Sequence, residues 1–270
     1  MLANKDTLVY RKSRWIVPDM EVLLWRERKN PFCIIIPVIN EGDRINTLLQ
    51  RMVDLRIHTF GDIIIVDGGS NDGSLSIKRL DHQNVKGLLV KKGKGGLSAQ
   101  LRCAYSFALD KGYEGLITID GNNKDDPSAI IDFANSLDCG VDFIQGSRFL
   151  KQGRGVNTPK LREISIRCIH APLLSLASGF KWTDTTQGFR AYSRRVLLDH
   201  RVNPFREVFI NYELLPYLSY RLPRLGYICK ELPTIRQYPQ DRIPTKINGV
   251  RGYIDILIAL IKACMGKLNP

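Results

Sequence analysis

The chain has 270 residues with 44% hydrophobic and 25% charged side chains, which suits one large folded α/β domain or two small ones. Its 40 Lys and Arg against 27 Asp and Glu give a formal net charge of +13, which favours a phosphate-rich partner: nucleic acid, an anionic membrane face or a nucleotide. The six cysteines are far apart and include no CxxC pair, which argues against a zinc site or a disulfide framework and fits a reducing cytosol.

Residues 1–31 are basic and irregular, and we interpret them as an extension packed on the main fold. They contain no apolar h-region, so no secretory signal is predicted. Near the other end, Ile254 to Met265 contains two charged residues and is too short to span a bilayer. We take residues 32–235 as a single domain and residues 236–270 as a basic loop followed by an amphipathic helix.

From Phe32 onward the sequence alternates between short apolar strands and amphipathic helices. The first run, CIIIPV, is continuously apolar and β-branched, as in a strand buried on both faces of a parallel sheet. The alternation predicts an α/β fold with a mostly parallel central sheet, right-handed crossovers and helices on both faces. The first five predicted strands cover residues 33–38, 62–66, 85–90, 116–119 and 141–144.

Each of these strands runs into a polar or glycine-rich segment: NEG, DGGSNDG, KKGKGG, DGNN and GSR. Because the carboxyl ends of parallel strands lie at one edge of a sheet, the five segments predict a binding crevice at that edge. The centre of the crevice is Asp120-Gly121-Asn122, where a buried strand ends in acid and amide groups that need solvent, a metal or a ligand. An Asx turn leaving a core strand is the alternative for this segment taken alone.

The predicted crevice combines carboxylates with cations. Glu41, Asp67 and Asp120 suit ribose hydroxyls, a base N–H and a divalent metal, whereas Lys94 and Arg148 suit phosphates. The loops match neither a Walker A phosphate loop nor the GxGxxG spacing of dinucleotide sites. The set predicts a nucleotide diphosphate held through a metal, which neutralises the diphosphate as the bond to it breaks.

Beyond Arg148 the alternation weakens. Leu161 to Leu176 is predicted to be a helix with a wide apolar face, and the pattern leaves open whether it packs in the core or lies in a membrane interface. No second domain boundary is indicated. The remaining predictions are a turn entering a strand at 183–195, a helix at 212–218, a strand at 227–231 and a last helix from 253.

Five segments together resemble the successive blocks of the family 2 glycosyltransferases: PVINEGDRINTLL, IIIVDGGSNDGS, ITIDGNN, FIQGSRF and DTTQGFRAYSRRVL. The resemblance is closest to the branch that contains polyprenyl- and dolichyl-phosphate sugar synthases, and it covers about Ile34 to Pro233. It implies a GT-A type fold, a nucleotide-sugar donor, a divalent cation (Mg²⁺ or Mn²⁺) and inversion at the anomeric carbon.

The same resemblance assigns residues to the donor. Pro37, Ile39 and Glu41 would border the nucleoside, Asp67 would hydrogen-bond the base, and the loop around Lys94 and Gly95 would close over it.

The resemblance also makes Asp120 the first acid of the family's DXD motif, which meets the ribose and the metal, with Gly121 and Asn122 completing the motif. Asn122 stands where the second acid is expected. An amide oxygen can bind Mg²⁺ or Mn²⁺ but adds no charge, so metal affinity should fall unless Asp125 or Asp126 reaches in.

On the acceptor side, Arg148 would contact a phosphate of donor or acceptor, and Asp184, Gly188 and Arg190 match a family block. Glu213 matches a glutamate that could act as a base or support the acceptor site. The residues alone leave other roles open: Arg190 paired with Asp184 as a structural clamp, and Glu213 as a solvated helix acid.

The chemistry of the acceptor decides whether a base is needed. A phosphate acceptor is already ionised and needs no base, whereas a sugar hydroxyl does. Lys246, in the segment IPTKI, could bind pyrophosphate or simply be a surface lysine.

These observations favour an inverting glycosyltransferase that moves a sugar from a UDP- or GDP-linked donor to a lipid-linked acceptor. Polyprenyl phosphate or a lipid-linked saccharide would be the acceptor, in cell-surface polysaccharide synthesis. The enzyme would lie in the cytoplasm on the inner face of an anionic membrane, attached by its basic surface and the helices at 161–176 and 253–268.

Two alternatives come from other classes. A sugar nucleotidyltransferase would need a glycine-rich loop with Arg and Lys after the first strand, where PVINEGDR has a single glycine. A non-catalytic basic protein would bind membrane or nucleic acid, but no strand interleaves aromatic with basic residues, so we expect no nucleic-acid partner. The oligomeric state is not predicted.

Overall fold

The computed structural model of the chain describes residues 15–240 and 249–270. Its main sheet has eight strands in the order β1-β4-β3-β2-β5-β8-β6-β9, and β7 and β10 form a small second sheet. The strands are β1 (Met20–Trp25), β2 (Phe32–Val38), β3 (Asp62–Asp67), β4 (Val85–Lys91), β5 (Gly115–Thr118), β6 (Phe143–Ser147), β7 (Arg154–Val156), β8 (Arg190–Ser193), β9 (Cys229–Pro233) and β10 (Ile235–Gln237).

The main sheet is mostly parallel, as predicted. Strands β4, β3, β2 and β5 are parallel neighbours, and β6 and β9 form a second parallel pair. Strand β8 lies antiparallel between β5 and β6, so those two strands point the same way. The carboxyl ends of β2, β3, β4, β5 and β6 therefore meet at one edge of the sheet, where the sequence predicts the crevice.

Helices cover both faces of this sheet and enclose two apolar cores. Cys33 and Ile35 of β2 pack into one core while Ile34 and Ile36 pack into the other, and all four side chains are fully buried. A strand that must be apolar on both faces explains the unbroken CIIIPV run. The helices are α1 (Asp43–Asp54), α2 (Ile77–His82), α3 (Leu97–Asp110), α4 (Ile130–Asp138), α5 (Lys160–Ser165), α6 (Ala171–Ser178), α7 (Arg194–Leu198), α8 (Leu214–Arg224) and α9 (Gly249–Cys264).

The predicted helix at 161–176 is present as α5 and α6, joined by a π-helical turn at Ile166–His170. Among residues 15–240 and 249–270, no helix is both long and apolar enough to cross a membrane.

The N-terminal segment differs from its description as irregular. Met20–Trp25 forms an edge strand, β1, that pairs antiparallel with β4 and so belongs to the main sheet. Its residues are half-buried or exposed, so they lack the continuous apolar run that reveals the inner strands.

The division of the chain into segments at residues 31 and 235 stays a prediction. Lys246 lies outside the described residues.

Candidate active site

Hydrogen bonds join the loop that follows β2 to the loop that follows β3. Asp67, the last residue of β3, accepts from the Ser70 backbone N–H at 2.9 Å and from its hydroxyl at 2.6 Å. The Ser70 Oγ in turn accepts from the Asn40 N–H at 2.9 Å, and the Asn40 side-chain oxygen accepts from the Asn71 N–H at 2.9 Å. The two loops therefore form one unit, with the Asp67 carboxylate held at its base.

Gln100 of α3 joins the carboxyl ends of β2 and β3. Its side-chain amide donates to the Val38 carbonyl at 2.9 Å and to the Val66 carbonyl at 2.5 Å. Glu41 is buried and accepts from the Arg44 Nε at 2.9 Å. The other two nucleoside-side predictions fall at the same strand end: Pro37 is half-buried and Ile39 is exposed.

The loop after β4 rests on the turn that precedes α8. Gly95 has φ +104°, and a Cβ there would lie 2.6 Å from the Ala99 Cβ, so the position requires glycine. The Gly96 N–H donates to the Ile210 carbonyl at 3.0 Å. Lys94, at the tip of this loop, is exposed.

Glu213 holds that supporting turn. Its Oε2 accepts from the Ile210 N–H at 2.9 Å and the Asn211 N–H at 2.7 Å. It precedes α8 rather than lying inside a helix. Glu213 therefore supports the Lys94–Gly96 loop, and a role as a base stays a prediction.

Asp120 lies just beyond β5, enclosed by two glycines. A Cβ at Gly121 would lie 2.9 Å from the Val38 Cγ2, so this loop packs directly on the end of β2. A Cβ at Gly188 would lie 2.3 Å from the Asp120 Oδ1, so the segment before β8 packs directly against the carboxylate and leaves no room for a side chain at position 188. The structure thus brings together Asp120 and Gly188, which the sequence places in separate blocks.

A salt bridge that sequence reasoning missed fixes the other carboxylate oxygen. The Asp120 Oδ2 accepts from the Arg236 Nη2 at 3.0 Å, and the same guanidinium donates to the Asp125 Oδ2 at 2.5 Å. Asp125 is fully buried; burial raises its pKa, against the opposing effect of Arg236. Arg236 lies in β10, far along the chain from both acids, so no local motif reveals it.

Lys124 is buried beside this salt bridge. Burial lowers the pKa of Lys124 to about 8, with a further lowering by Arg236 and an opposing effect of Asp120. Its ammonium nitrogen lies 5.3 Å from the centroid of the Tyr238 ring.

Tyr238 is the centre of a buried cationic cluster. Its hydroxyl accepts from the Arg148 Nη1 at 2.9 Å and from the Arg162 Nη1 at 3.4 Å. Its ring centroid lies 5.7 Å from the Arg236 guanidinium carbon. Burial raises the pKa of Tyr238, but Arg236 and Arg148 outweigh it, so the pKa is lowered. The sequence predicts no role for Tyr238.

Arg148 forms a buried, bidentate ion pair with Asp184. Its Nε donates to the Asp184 Oδ2 at 2.7 Å and its Nη2 to the Oδ1 at 3.1 Å, and the side chains are 1% and 0% exposed. Burial raises the pKa of Asp184, but the Arg148 guanidinium holds it below its usual value. Because the Arg148 side chain is almost fully buried, a phosphate contact by Arg148 stays a prediction.

The alternative of an Arg190–Asp184 clamp is wrong, because the partner of Asp184 is Arg148. Arg190 is fully buried and donates to the carbonyls of Gln187, Thr185 and Leu215 at 2.9, 2.7 and 2.7 Å. It therefore shapes the segment before β8 and fastens it to α8.

Glu231 of β9 is a second residue that sequence reasoning missed. It accepts from the Thr183 N–H at 2.9 Å and from the Asp184 N–H at 3.0 Å, and so places Asp184 opposite Arg148. Nothing in its local pattern distinguishes it from an ordinary strand glutamate.

The residues near Asp120 fit a divalent cation only with help from a ligand. The Asn122 Oδ1 accepts from the Lys124 N–H at 3.2 Å, which is the Asx turn left open by the sequence. Asp125 is held by Arg236, and Asp126 is paired with Arg51 at 3.1 Å, so neither supplies the second acid. Within residues 15–240 and 249–270 no group of three or more His, Cys, Asp or Glu could hold a metal.

A cleft of about 650 Å³ opens beside this loop, with Asn122 and Lys124 in its wall. Its cationic lining suits an anionic ligand, although neither Asp67 nor Asp120 borders it. The basic lining residues are Arg44, Arg51, Lys124 and Arg154.

Residues 33–201 match Glycosyl transferase family 2. Because that match covers more than half of the chain, the protein belongs to this family, and the predicted family is confirmed.

Two relatives bear names that agree with the predicted branch. The chain is 28% identical over 172 residues to polyprenol monophosphomannose synthase of Mycolicibacterium smegmatis, covering 61% of this chain and 62% of that protein. It is 26% identical over 203 residues to undecaprenyl-phosphate mannosyltransferase of Micrococcus luteus, covering 74% and 80%. The chain thus spans less than two-thirds of the length of the first relative.

Solved structures share the fold. Glucosyl-3-phosphoglycerate synthase from Mycobacterium tuberculosis, in complex with phosphoglyceric acid, has a TM-score of 0.60 at 14% identity, covering 98% of this chain and 85% of that one. Mannosyl-3-phosphoglycerate synthase from Rubrobacter xylanophilus has a TM-score of 0.59 at 13% identity, covering 99% and 79%. The predicted fold class is confirmed.

Proposed function

We propose that this family 2 glycosyltransferase moves a sugar from a UDP- or GDP-linked donor to a lipid-linked acceptor, with polyprenyl phosphate as the first choice. The carrying observation is that Asp67 ends β3 while Glu41 and Asp120 follow the adjacent strands β2 and β5, so that all three lie at the same sheet edge. Carboxylates at such an edge suit the base, ribose and metal of a nucleotide sugar. The names of the two relatives support a lipid phosphate as acceptor.

The donor site would be assembled from the strand-end loops. Pro37, Ile39 and Glu41 border the nucleoside, Asp67 binds the base, and the Lys94–Gly96 loop closes over it. Because Ser70 and the turn at 210–211 already fix these loops, little ordering would be needed on binding.

Asp120 and Asn122 would hold Mg²⁺ or Mn²⁺, with phosphate oxygens of the donor completing the shell, since Mg²⁺ is commonly held by one or two carboxylates plus substrate phosphates. Mn²⁺ was bound in a complex of the Mycobacterium tuberculosis structural relative with UDP and phosphoglyceric acid. Such an ion supplies Lewis-acid neutralisation of the leaving diphosphate. Gly188 and Arg236 hold the Asp120 carboxylate in place for this role.

Glu213 favours the phosphate acceptor over a sugar hydroxyl. One of its carboxylate oxygens already accepts two backbone N–H groups, so the residue matching the family glutamate has a structural task. A phosphate needs no base, so the acceptor oxygen would attack the anomeric carbon directly as the nucleoside diphosphate leaves, with inversion.

Attachment to the inner face of an anionic membrane is the last part of the proposal. Helices α5, α6 and α9 present exposed apolar side chains, among them Leu161 and Leu176 at 81% and 86% exposure. Arg162 joins α5 to α9 through the Tyr253 hydroxyl at 3.4 Å. Exposed cations accompany these side chains, which suits an interfacial surface that binds anionic lipid. They are Lys160, Arg167 and Lys262.

A transfer assay tests the function. The chain is incubated with labelled UDP- and GDP-sugars and polyprenyl phosphate, with and without Mn²⁺, and labelled lipid is measured. No labelled lipid from any donor, combined with pyrophosphate release from a nucleoside triphosphate, would instead identify a sugar nucleotidyltransferase. Salt-sensitive RNA binding without nucleotide-sugar affinity would identify a non-catalytic binding protein.

A further inference from the structure

The carboxylate expected to bind a metal already has protein cations around it. Asp120 and Asp125 share the Arg236 guanidinium, at 3.0 and 2.5 Å. Lys124, only 5% exposed, lies in the same cluster and interacts electrostatically with both Asp120 and Arg236. Asp120 and Asp125 thus share one guanidinium, and Lys124 adds a second buried cation close enough to Asp120 to interact with it electrostatically.

This charge count equals that of a two-acid metal site. A divalent cation would bring +2 to a pair of carboxylates, and Arg236 and Lys124 together bring the same charge. At the position of the second acid of the motif, Asn122 brings no charge. Of the two motif positions, only Asp120 carries a negative charge, and two cations interact with it.

The salt bridges are not needed to attach β10 to the loop after β5. The Asp126 N–H donates to the Ile235 carbonyl at 2.9 Å, and the Gln237 N–H donates to the Lys124 carbonyl at 2.7 Å. These backbone bonds flank Arg236 and already join the two segments. Burying a charged Arg and Lys there carries a desolvation penalty, which a bound anion would offset.

The cluster also borders open space. Lys124 and Asn122 line the 650 Å³ cleft, and the Asp120 side chain keeps 23% of its surface exposed. A phosphate in the cleft would meet the Lys124 side chain in its wall; Arg236 does not border the cleft but interacts electrostatically with Lys124, in a buried setting where charge-assisted bonds are strong.

We propose that Lys124 and Arg236 form a protein-built cationic site that binds the diphosphate of the donor nucleotide beside Asp120 without requiring a divalent cation. The proposal rests on the proposed function, because it takes the donor to be a nucleoside diphosphate sugar. A bound divalent cation increases the affinity for the nucleoside diphosphate, but most of that affinity remains when the cation is removed.

The test is calorimetric titration of UDP and of GDP into the full chain, in EDTA and in Mn²⁺. For the better nucleotide, we expect the wild-type Kd in EDTA to lie within about tenfold of the Kd in Mn²⁺. Lys124→Met keeps the length of the side chain and removes its charge. It should raise the Kd in EDTA by about 30-fold or more and raise the Kd in Mn²⁺ by less.

Three variants sharpen the result. Lys124→Arg should bind like wild type in EDTA, because it keeps the charge. Arg236→Lys, which keeps the charge but loses the shared guanidinium, should bind more weakly in EDTA while its melting temperature shows that it is folded. Lys78→Met removes an exposed lysine on α2 and should change neither Kd.

The outcomes separate this proposal from the function on which it rests. Binding in Mn²⁺ but none in EDTA would overturn the cationic site and leave the donor assignment standing. An unchanged Kd in EDTA for Lys124→Met would also overturn it. Absence of UDP and GDP binding under both conditions would overturn the UDP or GDP assignment and the cationic site together.

Discussion

The first part of the fold, residues 32–147, and the second, residues 148–240, build the candidate site in different ways. In the first part, each inner strand brings polar residues directly to the sheet edge, and hydrogen bonds within and between the following loops fix them, as Ser70 does for Asp67. In the second part, buried ion pairs and side-chain contacts with distant carbonyls hold the segments in place. Arg148–Asp184 and Arg236–Asp120 are the main examples. One part presents chemical groups, and the other positions them.

The largest expected effect is on Asp120, where the two parts meet. Asp120→Ala removes the carboxylate that Gly188 and Arg236 orient, and we expect the transfer rate to fall by about 10³-fold or more. The measurement is the initial rate of label transfer at saturating donor. Asp138→Asn, which changes an exposed acid at the end of α4, should retain wild-type activity. Near wild-type turnover by Asp120→Ala would contradict the assignment of Asp120 to the active site.

The Arg148–Asp184 pair tests whether the second part is held by buried charge. Arg148→Met leaves Asp184 buried without its cation, which should lower the free energy of unfolding by about 3–5 kcal/mol. Urea denaturation measures this change.

A matched exposed pair supplies the control for that measurement. Lys92 and Glu21 are 2.7 Å apart but 55% and 51% exposed, so Lys92→Met should lower the free energy of unfolding by less than about 1 kcal/mol. Similar losses for the two variants would show that burial does not distinguish these pairs.

Gly188 tests the contact between the parts. A Cβ at this position would lie 2.3 Å from the Asp120 Oδ1, so Gly188→Ala should displace the carboxylate and reduce the transfer rate by about 30- to 100-fold. In the Asp120→Ala background the same substitution should have little further effect, because its target is gone. Independent, additive losses would mean that Gly188 acts elsewhere.

The difference between the two parts also explains how far sequence reasoning reached. Continuous apolar runs such as Ile34 to Ile36 identify buried parallel strands, and the residues that follow them must lie at one edge; both inferences are local. Arg236 and Glu231 were missed because their partners lie far away along the chain and become visible only when β9 and β10 are placed. The edge strand β1 was missed because half-exposed residues carry no continuous apolar signal.

The apolar face of α5 and α6 is the next test in order of effect. Leu161→Glu with Leu176→Glu alters two exposed side chains, so we expect an unchanged melting temperature and about tenfold weaker co-sedimentation with anionic phospholipid vesicles. Ile77→Glu, at an exposed position on α2, should bind vesicles like wild type. Equal losses for both variants would show that only net charge matters.

The smallest expected effect is a pH dependence of stability from Asp184. Its pKa is lowered in the folded state because Arg148 outweighs the effect of burial. Its contribution is therefore fully present above the unfolded pKa of about 3.9 and is lost as pH falls through the folded value. Below about pH 4, the wild-type free energy of unfolding should fall more steeply with decreasing pH than that of Asp184→Asn. Parallel slopes in urea denaturation across this range would mean that the pair does not lower the pKa of Asp184 in solution.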